Sequence, residues 1–596
     1  MPDWSYHTLF KPVLQKLPPT FSREFIHRGM STIASTLVGE KFIEFLGHLS
    51  PSKNIQKQLF HIPFSTPVGL SGKVDPQLTG LKAFQNLGFG FVEIGPVSIQ
   101  GSIENEVLHV DLKKEQIWSD SPPSIQLTSA KMKLASLKKK KIPFFIKVEG
   151  TELEIKQICE ELLAYSDGFI LNSQAFISET RFEQFRKDIK KPIILSCSYD
   201  DVDQIDKDFK ADGILLEEDD CPETLYKHLV KKREMVGDDI PIITSGGIRE
   251  PSDAIRLLEK GASLVMLGYD YVFAGPGLPK RINEAYSKRT IQESRQTEGW
   301  KWYWLFGFAI MIAGLIAMIF SMTTIILPYD EAFLGLFRKD IIDYNPLILY
   351  FMAHDRMTLS GTMISGGIIY MQLARYGIRY GLHWARKATN TAAITGFLGI
   401  LLFIGYGYFD WLHGLFWLIL LPLFIIGFVK SRNATESPSG TNQFNHPSWK
   451  WSLYGQLSFI LLGASLAVGG VVISFIGASS VFVATDIIYI CMTPEVLNEF
   501  NERLIPVIAH DRAGFGSALL SVGLLVLMLA LWGIREGERW VWWTFTIGAI
   551  PAFAAGIATH YFIGYTTFIH LLPAYVALLL YVVGVICTGP FLLKRA

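Results

Sequence analysis

Cysteine is nearly absent from this chain: five residues in 596 (Cys159, Cys197, Cys221, Cys491 and Cys587), none at CxxC spacing. That excludes a disulfide-stapled fold and the cysteine-based zinc motifs, so no metal site is expected, and it suits a reducing setting for the first half. An excess of one charge is missing too. Lys plus Arg and Asp plus Glu are 55 each, so the overall charge gives no argument for nucleic acid as a partner. Residues 1–52 contain no continuous apolar core, so no secretory leader is expected there.

Long apolar runs are missing only from the first half. From Trp302 onward they recur, and the mean hydropathy of +0.28 averages two unlike parts. A chain of this length needs more than one domain. The expected division is 1–60, amphipathic helices; 61–290, an α/β domain; 291–301, a linker; and 302–450 and 451–596, two membrane segments.

In the lead-in, Phe10, Val13, Leu14 and Leu17 share one helical face. After Pro18-Pro19 a second stripe runs through Phe25, Ile26, Met30 and Ile33. Such helices either close one end of the next domain or form a platform on the membrane surface that admits an apolar substrate.

Residues 61–290 hold short buried-strand patterns ending near 72, 95, 147, 172, 195, 216, 246 and 268. Helical patterns alternate with them, which predicts a parallel α/β sheet, most simply a barrel. The centre of the argument is Pro241 to Ile248, followed by Gly261 to Gly268. These form a βαβ step with Gly246-Gly247 and Gly268 at the strands' C-terminal ends. In a (β/α)8 barrel the last two strands build a phosphate site there from backbone N–H groups. The basic stretch Pro279-Lys-Arg-Ile282 just behind supports that reading.

Several stretches resemble dihydroorotate dehydrogenase: Val68-Gly-Leu, Gly88-Phe-Gly-x-x-Glu-Ile-Gly95, Ile240-Pro-Ile-Ile-x-x-Gly-Gly-Ile248, Gly261-Ala-Ser-Leu-Val-x-Leu267 and Gly275-Pro-x-Leu-x-Lys-Arg-Ile282. The helical lead-in is similar to that of the membrane-associated, quinone-linked class. The resemblance covers residues 1–290 and implies an FMN-type TIM barrel. It also implies oxidation of dihydroorotate, with electrons passed to quinone in the pyrimidine-synthesis manner. It places Ser245, Gly246, Gly247, Leu267, Gly268 and Tyr269 on the FMN-phosphate loops, Gly72 beside the flavin and Asn172 on an asparagine of the catalytic loop. The rest of that loop departs from the family. Ala175 stands at the position of the catalytic base, Ile177 at a substrate-binding asparagine and Cys197 at a flavin-contacting lysine; Glu218-Asp219 replaces Asn-Thr. Alanine cannot take a proton, so the catalytic residue is left unassigned. Cys197 reads as a packing cysteine, and Glu217 to Asp220 as a solvated loop or helix N-terminus.

The remainder predicts an all-α polytopic membrane domain with eight spans, near 302–327, 349–373, 390–408, 412–429, 453–476, 514–533, 541–559 and 571–592. Arg375, Arg379, Arg386, Lys387, Lys430, Arg432, Arg535, Arg539 and Lys594-Arg595 follow alternate spans. The basic loops therefore place the barrel and the C-terminus in the cytoplasm of a cell-membrane protein. Two four-helix repeats are expected, because Ala353-His-Asp-Arg356 recurs as Ala509-His-Asp-Arg512 and Gly407-Tyr-x-x-x-x-His413 as Gly564-Tyr-x-x-x-x-His570. Asp330 likewise pairs with Asp486. Asp330, His354, Asp355, Arg356, His413, Asp486, His510, Asp511, Arg512 and His570 thus form a candidate polar site. It reads either as salt bridges capping the helices or, with His560, as a proton pathway.

Two functional readings follow. One is a membrane-bound FMN oxidoreductase acting on a small molecule and reducing quinone. The other is an inactive barrel serving as a binding or regulatory module on a membrane sensor or transporter.

Overall fold

The computed structural model describes residues 2–47, 51–102, 107–119, 123–175, 179–197, 211–218, 222–291, 296–402, 408 and 411–595. It divides into two compact units, Met1–Gln292 with Pro438–His446, and Glu293–Ser437 with Pro447–Ala596.

In the first unit eight strands are all parallel: β1 (Val68–Leu70), β2 (Phe91–Ser98), β3 (Phe144–Val148), β4 (Gly168–Asn172), β5 (Ile193–Cys197), β6 (Gly213–Glu217), β7 (Ile242–Ser245) and β8 (Leu264–Leu267). β1 pairs with β8 through Val68 and Val265 and with β2 through Gly69 and Phe91, so the sheet closes on itself. This is a TIM-type barrel with N-terminal helices, α1 (Pro19–Ala34) and α2 (Leu37–Gly47).

Strand alternation sorts the side chains. Leu70, Val92, Ile146, Leu195 and Leu216 face the surrounding helices in one core. Phe91, Phe145, Ile170, Ile194, Leu215 and Ile243 form a separate inner cluster with Phe64. Phe64 comes from the hairpin Lys57–Leu59/Ile62–Phe64. Two residues further along the same strands, the inward positions become Glu93, Lys147, Asn172, Ser196, Glu217 and Ser245. The floor of the barrel is thus apolar and its C-terminal mouth is polar.

The helix between β7 and β8 is α3 (Pro251–Glu259), which starts with Pro251 in its first turn and a reciprocal Glu250–Asp253 cap. Further on lies α4 (Leu278–Thr290). Segment 438–446, expected as a loop trailing the first membrane segment, groups with this unit: Asn445 donates to the Arg249 carbonyl at 2.9 Å, and the Asn445 N–H donates to Glu250 at 2.9 Å.

The second unit is helical: α5 (Trp300–Thr323), α6 (Pro328–Leu334), α7 (Pro346–Gln372), α8 (His383–Leu402), α9 (Trp411–Lys430), α10 (Pro447–Ala478), α11 (Ala484–Ile490), α12 (Leu504–Trp532), α13 (Arg539–Gly548), α14 (Ile550–Ile563) and α15 (Phe568–Leu592). Six stretches among the described residues are long and apolar enough to cross a membrane: α5, α9, α10, α12, α15 and the continuous Arg539–Ile563. The other two expected spans fall on α7 and α8, which are outside that set; residues 403–407 of the second lie outside the described residues. α7 carries His354, Asp355 and Arg356 and is buried along most of its length.

Candidate functional site

The sequence-predicted cofactor residues meet at the barrel mouth. Ser245 ends β7, and Gly246 and Gly247 follow it with φ of +89° and +61°. Only glycine adopts two such values in succession at little cost, and the turn bares the backbone beside Leu267, Gly268 and Tyr269 at the end of β8. Ser245, Gly268 and Tyr269 are buried. Asn172 ends β4 exposed, its side chain accepting the Gln174 N–H at 2.9 Å. Ala175 closes a short 3-10 turn after it, and Ile177 lies outside the described residues.

Three of the predicted positions gain atomic detail. Gly72 lies close to the chain's own backbone: a Cβ there would meet the Gly95 carbonyl oxygen at 2.0 Å. Arg281, expected behind the phosphate loops, instead donates to Asp3 at 3.0 Å, with both side chains buried. Cys197 packs in the helix-facing core, as read from the sequence, and Ser196 takes the inward position at the end of β5.

Glu217 is no solvated loop residue. Lys147 donates to both of its carboxylate oxygens, at 2.7 and 2.8 Å. Glu93 and Lys73 belong to the same electrostatic cluster. Burial pushes Glu93 up to about 7, against the pull of Lys147. Burial acts the same way on Glu217, but Lys147 and Lys73 outweigh it and hold that carboxylate below its ordinary value. Burial would lower Lys147; the two carboxylates outweigh it and raise that group. Two lysines thus face three carboxylates, Glu93, Glu217 and Glu149, at the mouth. Among the described residues Glu93 Oε2 and Ser71 Oγ are buried there without a hydrogen-bond partner. The strand period could have found Glu93 and Lys147, since each sits two residues beyond an inward phenylalanine. Sequence motifs drew attention to glycines instead.

A cavity of about 330 Å³ opens beside the mouth. Leu14, Ile26 and Met30 of the lead-in line it, with Val74, Tyr269 and Tyr271 of the barrel. Its lining is mostly apolar. It reaches Tyr269, one residue past Gly268, so it adjoins the glycine turn.

In the helical unit the ten predicted polar residues converge. Arg356 donates to Asp330 at 2.8 Å and to Asp511 at 2.7 Å. Arg512 donates to Asp486 at 2.5 Å and to Asp355 at 3.2 Å. Each arginine thus joins the aspartate of its own segment to the His-Asp aspartate of the other. Asp330 also starts α6 by accepting the Leu327 N–H at 2.7 Å, and Asp486 starts α11 by accepting the Val483 N–H at 2.8 Å. Tyr408 donates to Asp330, and Tyr565 to Asp486 at 2.7 Å. His354 is 2.9 Å from Asp355, and His510 is 3.2 Å from Asp511. His413 packs against His510 with ring centroids 5.0 Å apart, while His570 lies 5.7 Å from His354. The two tyrosines were missed although each follows its glycine in the repeated Gly-Tyr motif.

The FMN expectation can be tested on these residues. A bared glycine turn and the orphaned Ser71 hydroxyl suit a phosphorylated polar ligand at the mouth. Lys147 suits a ring that gains electron density. The residues present fit FMN.

Comparisons with known proteins place the same half. The dihydroorotate dehydrogenase family model matches residues 224–289. A dihydroorotate dehydrogenase (quinone) of Chloroflexus aurantiacus is 22% identical over 346 residues, covering 47% of this chain and 95% of the relative. That of Christiangramia forsetii is 23% identical over 337 residues, covering 47% and 98%. A short stretch of the Chelativorans sp. enzyme is 48% identical over 54 residues, or 9% of this chain and 15% of that one. Among solved structures, DHODH from Eimeria tenella in complex with ferulenol aligns with TM-score 0.33 and 15% identity, over 42% of this chain and 89% of that one. The barrel half of this chain is similar to quinone-linked dihydroorotate dehydrogenases, and a separate helical part follows it.

Proposed function

We propose that the chain is a membrane-bound, dihydroorotate dehydrogenase-like flavoprotein that passes electrons from a small molecule to quinone. One observation carries this reading: the apolar cavity under the N-terminal helices runs to Tyr269, beside the glycine turn. A cofactor at the turn and an apolar acceptor in the cavity would then be neighbours, as two successive electron transfers require. Gly246, Gly247, Gly268 and Ser245 would hold the FMN phosphate, and Lys147 would face the ring. FMN, when bound, supplies reversible acceptance of two electrons.

The chain's own residues bear on the substrate. With Ala175 at the base position, Glu93 Oε2 is the buried acceptor in the mouth that can hold a proton near neutral pH. Dihydroorotate is an anion, and the cationic charge of Lys147 and Lys73 is already met by Glu217 and Glu149, with Glu93 adding negative charge when ionised. The preferred donor is therefore a less acidic small molecule. The same balance supports the second reading, a barrel that binds without catalysing and regulates the helical part.

We also propose eight spans, with the barrel and C-terminus cytoplasmic. α7 and α8 complete the six, because a helix shielded by its neighbours need not be apolar all round. A reporter at residue 345 should then be external and one at 440 cytoplasmic; the reverse result overturns the orientation.

The decisive measurement is the absorbance spectrum of the full chain in detergent, with mass spectrometry of what it releases. One FMN per chain, not bleached by dihydroorotate before or after Ala175→Ser, is the expected result. A colourless protein that takes up no added FMN overturns the flavin reading. Bleaching by dihydroorotate overturns the substrate argument.

A further inference from the structure

We propose that His354, His560 and His570 bind one divalent first-row transition metal ion of the zinc class in the helical unit. The three imidazoles come from α7, the end of α14 and the start of α15, and their ligating nitrogens lie within 4.8 Å of one another. His354 and His560 are buried.

Hydrogen bonding fixes which nitrogens are free. His354 Nδ1 lies 2.9 Å from Asp355, whose carboxylate also accepts from Arg512; that carboxylate can only accept, so Nδ1 carries the hydrogen. His560 Nδ1 contacts the Gly556 carbonyl, which also can only accept. Each ring is therefore left with an unprotonated Nε2 when neutral. These two Nε2 atoms face each other at 2.9 Å. Two lone pairs at that distance repel unless a proton or a cation lies between them.

The surroundings favour a metal. A histidine ligand ordinarily donates its other N–H to a carboxylate or backbone carbonyl, which orients the ring and raises its basicity. His354 has the first kind of partner and His560 the second. A zinc ion about 2.0–2.1 Å from each nitrogen spaces them at about 3.3 Å in a tetrahedron, so the facing pair opens slightly and His570 closes in. Three imidazoles leave a fourth position for water or another small ligand. Thiolates are absent and imidazoles suit zinc, iron, copper or nickel, which excludes the hard cations.

The sequence repeat provides an internal control. His413 and His510 correspond to His570 and His354, but Phe403 stands in the sequence where His560 would be. The triad joins His354 of the first segment to His560 and His570 of the second, and its sequence counterpart, His510 with Phe403 and His413, has one histidine fewer. Spacing concealed the triad, since the ligands are 206 and 10 residues apart in sequence and converge only when three helices meet.

The full chain, purified in detergent with a histidine-free tag and stripped by chelation, should be titrated with zinc and with cobalt ions. The expected result is one saturable site per chain, with the intense visible absorption of tetrahedral cobalt. His560→Ala and His570→Ala should each weaken zinc binding at least tenfold, and Asp355→Asn by about 10–100-fold. His413→Ala should leave it unchanged. The absence of saturable zinc or cobalt binding by the unmodified chain overturns the proposal, whatever the variants do. So does folded His560→Ala that binds zinc as tightly as the parent. Either would leave a shared proton between His354 and His560.

Discussion

Arg356 donates to Asp511 across 155 residues of sequence, at 2.7 Å, while Arg512 returns the contact to Asp355. Both aspartates are buried, so neither can lose its partner to water. Removing Asp511 alone strands part of the Arg356 charge and removing Arg356 alone strands both Asp511 and Asp330, whereas removing both leaves only Asp330 without its cation. Asp511→Ala is therefore expected to lower stability in detergent by about 3–5 kcal/mol. Arg356→Ala with Asp511→Ala should cost less than the two single losses added together. Thermal unfolding of the four proteins of this cycle measures the coupling, and strict additivity would refute it.

Glu93 gives the barrel a pH dependence of known sign. Its folded value of about 7 lies above the ordinary 4.5, so folding favours the protonated carboxyl. That contribution is complete below 4.5 and is lost as pH rises through 7. Thermal unfolding of the full chain should therefore show a barrel transition that falls between pH 5 and pH 8. Glu93→Gln keeps the neutral form at every pH and should flatten this fall. An identical slope in the variant would show that other groups cause it.

These two clusters differ in how far the sequence could show them. The barrel was legible because eight strand patterns each end near a turn signal, and Gly246-Gly247 marks the turn where φ becomes positive. The ten polar residues of the helical unit were legible because the His-Asp-Arg motif occurs twice. What remained hidden was pairing at long range. Lys147 and Glu217 lie 70 residues apart on strands that are not neighbours, and nothing local in either stretch announces a partner. Arg281 belongs to the basic stretch read as supporting the phosphate loops from behind. Its partner, Asp3, lies at the other end of the unit's sequence. The resemblance sets Cys197 at the family's flavin-contacting lysine, its reading as a packing cysteine holds, and the strand period puts Ser196 at the inward position.

The apolar cavity makes a prediction about the electron acceptor. Ile26 lines it from α1. Ile26→Trp should fill part of its 330 Å³ without touching the cofactor residues. With a short-chain ubiquinone analogue as acceptor, KM is expected to rise about tenfold, equivalent to about 1.4 kcal/mol of lost binding. FMN content should not change. An unaltered KM would mean that the acceptor approaches elsewhere, and the cavity would lose its role in the proposed function.

The glycine turn is the feature on which cofactor retention depends. Gly246 has φ of +89° and Gly247 +61°. An alanine in this region costs about 1–2 kcal/mol, because its Cβ crowds the following carbonyl. Gly246→Ala is expected to rotate the turn's N–H groups away from the phosphate rather than unfold the barrel, since β7 and β8 remain paired through Ile243–Leu264 and Thr244–Val265. The purified variant should carry several-fold less FMN per chain, while its far-ultraviolet circular dichroism stays that of the parent. Added FMN should restore occupancy only at higher concentration. A parent-like FMN content in Gly246→Ala would place the phosphate away from this turn and remove the structural basis for assigning Gly247 and Gly268 to it.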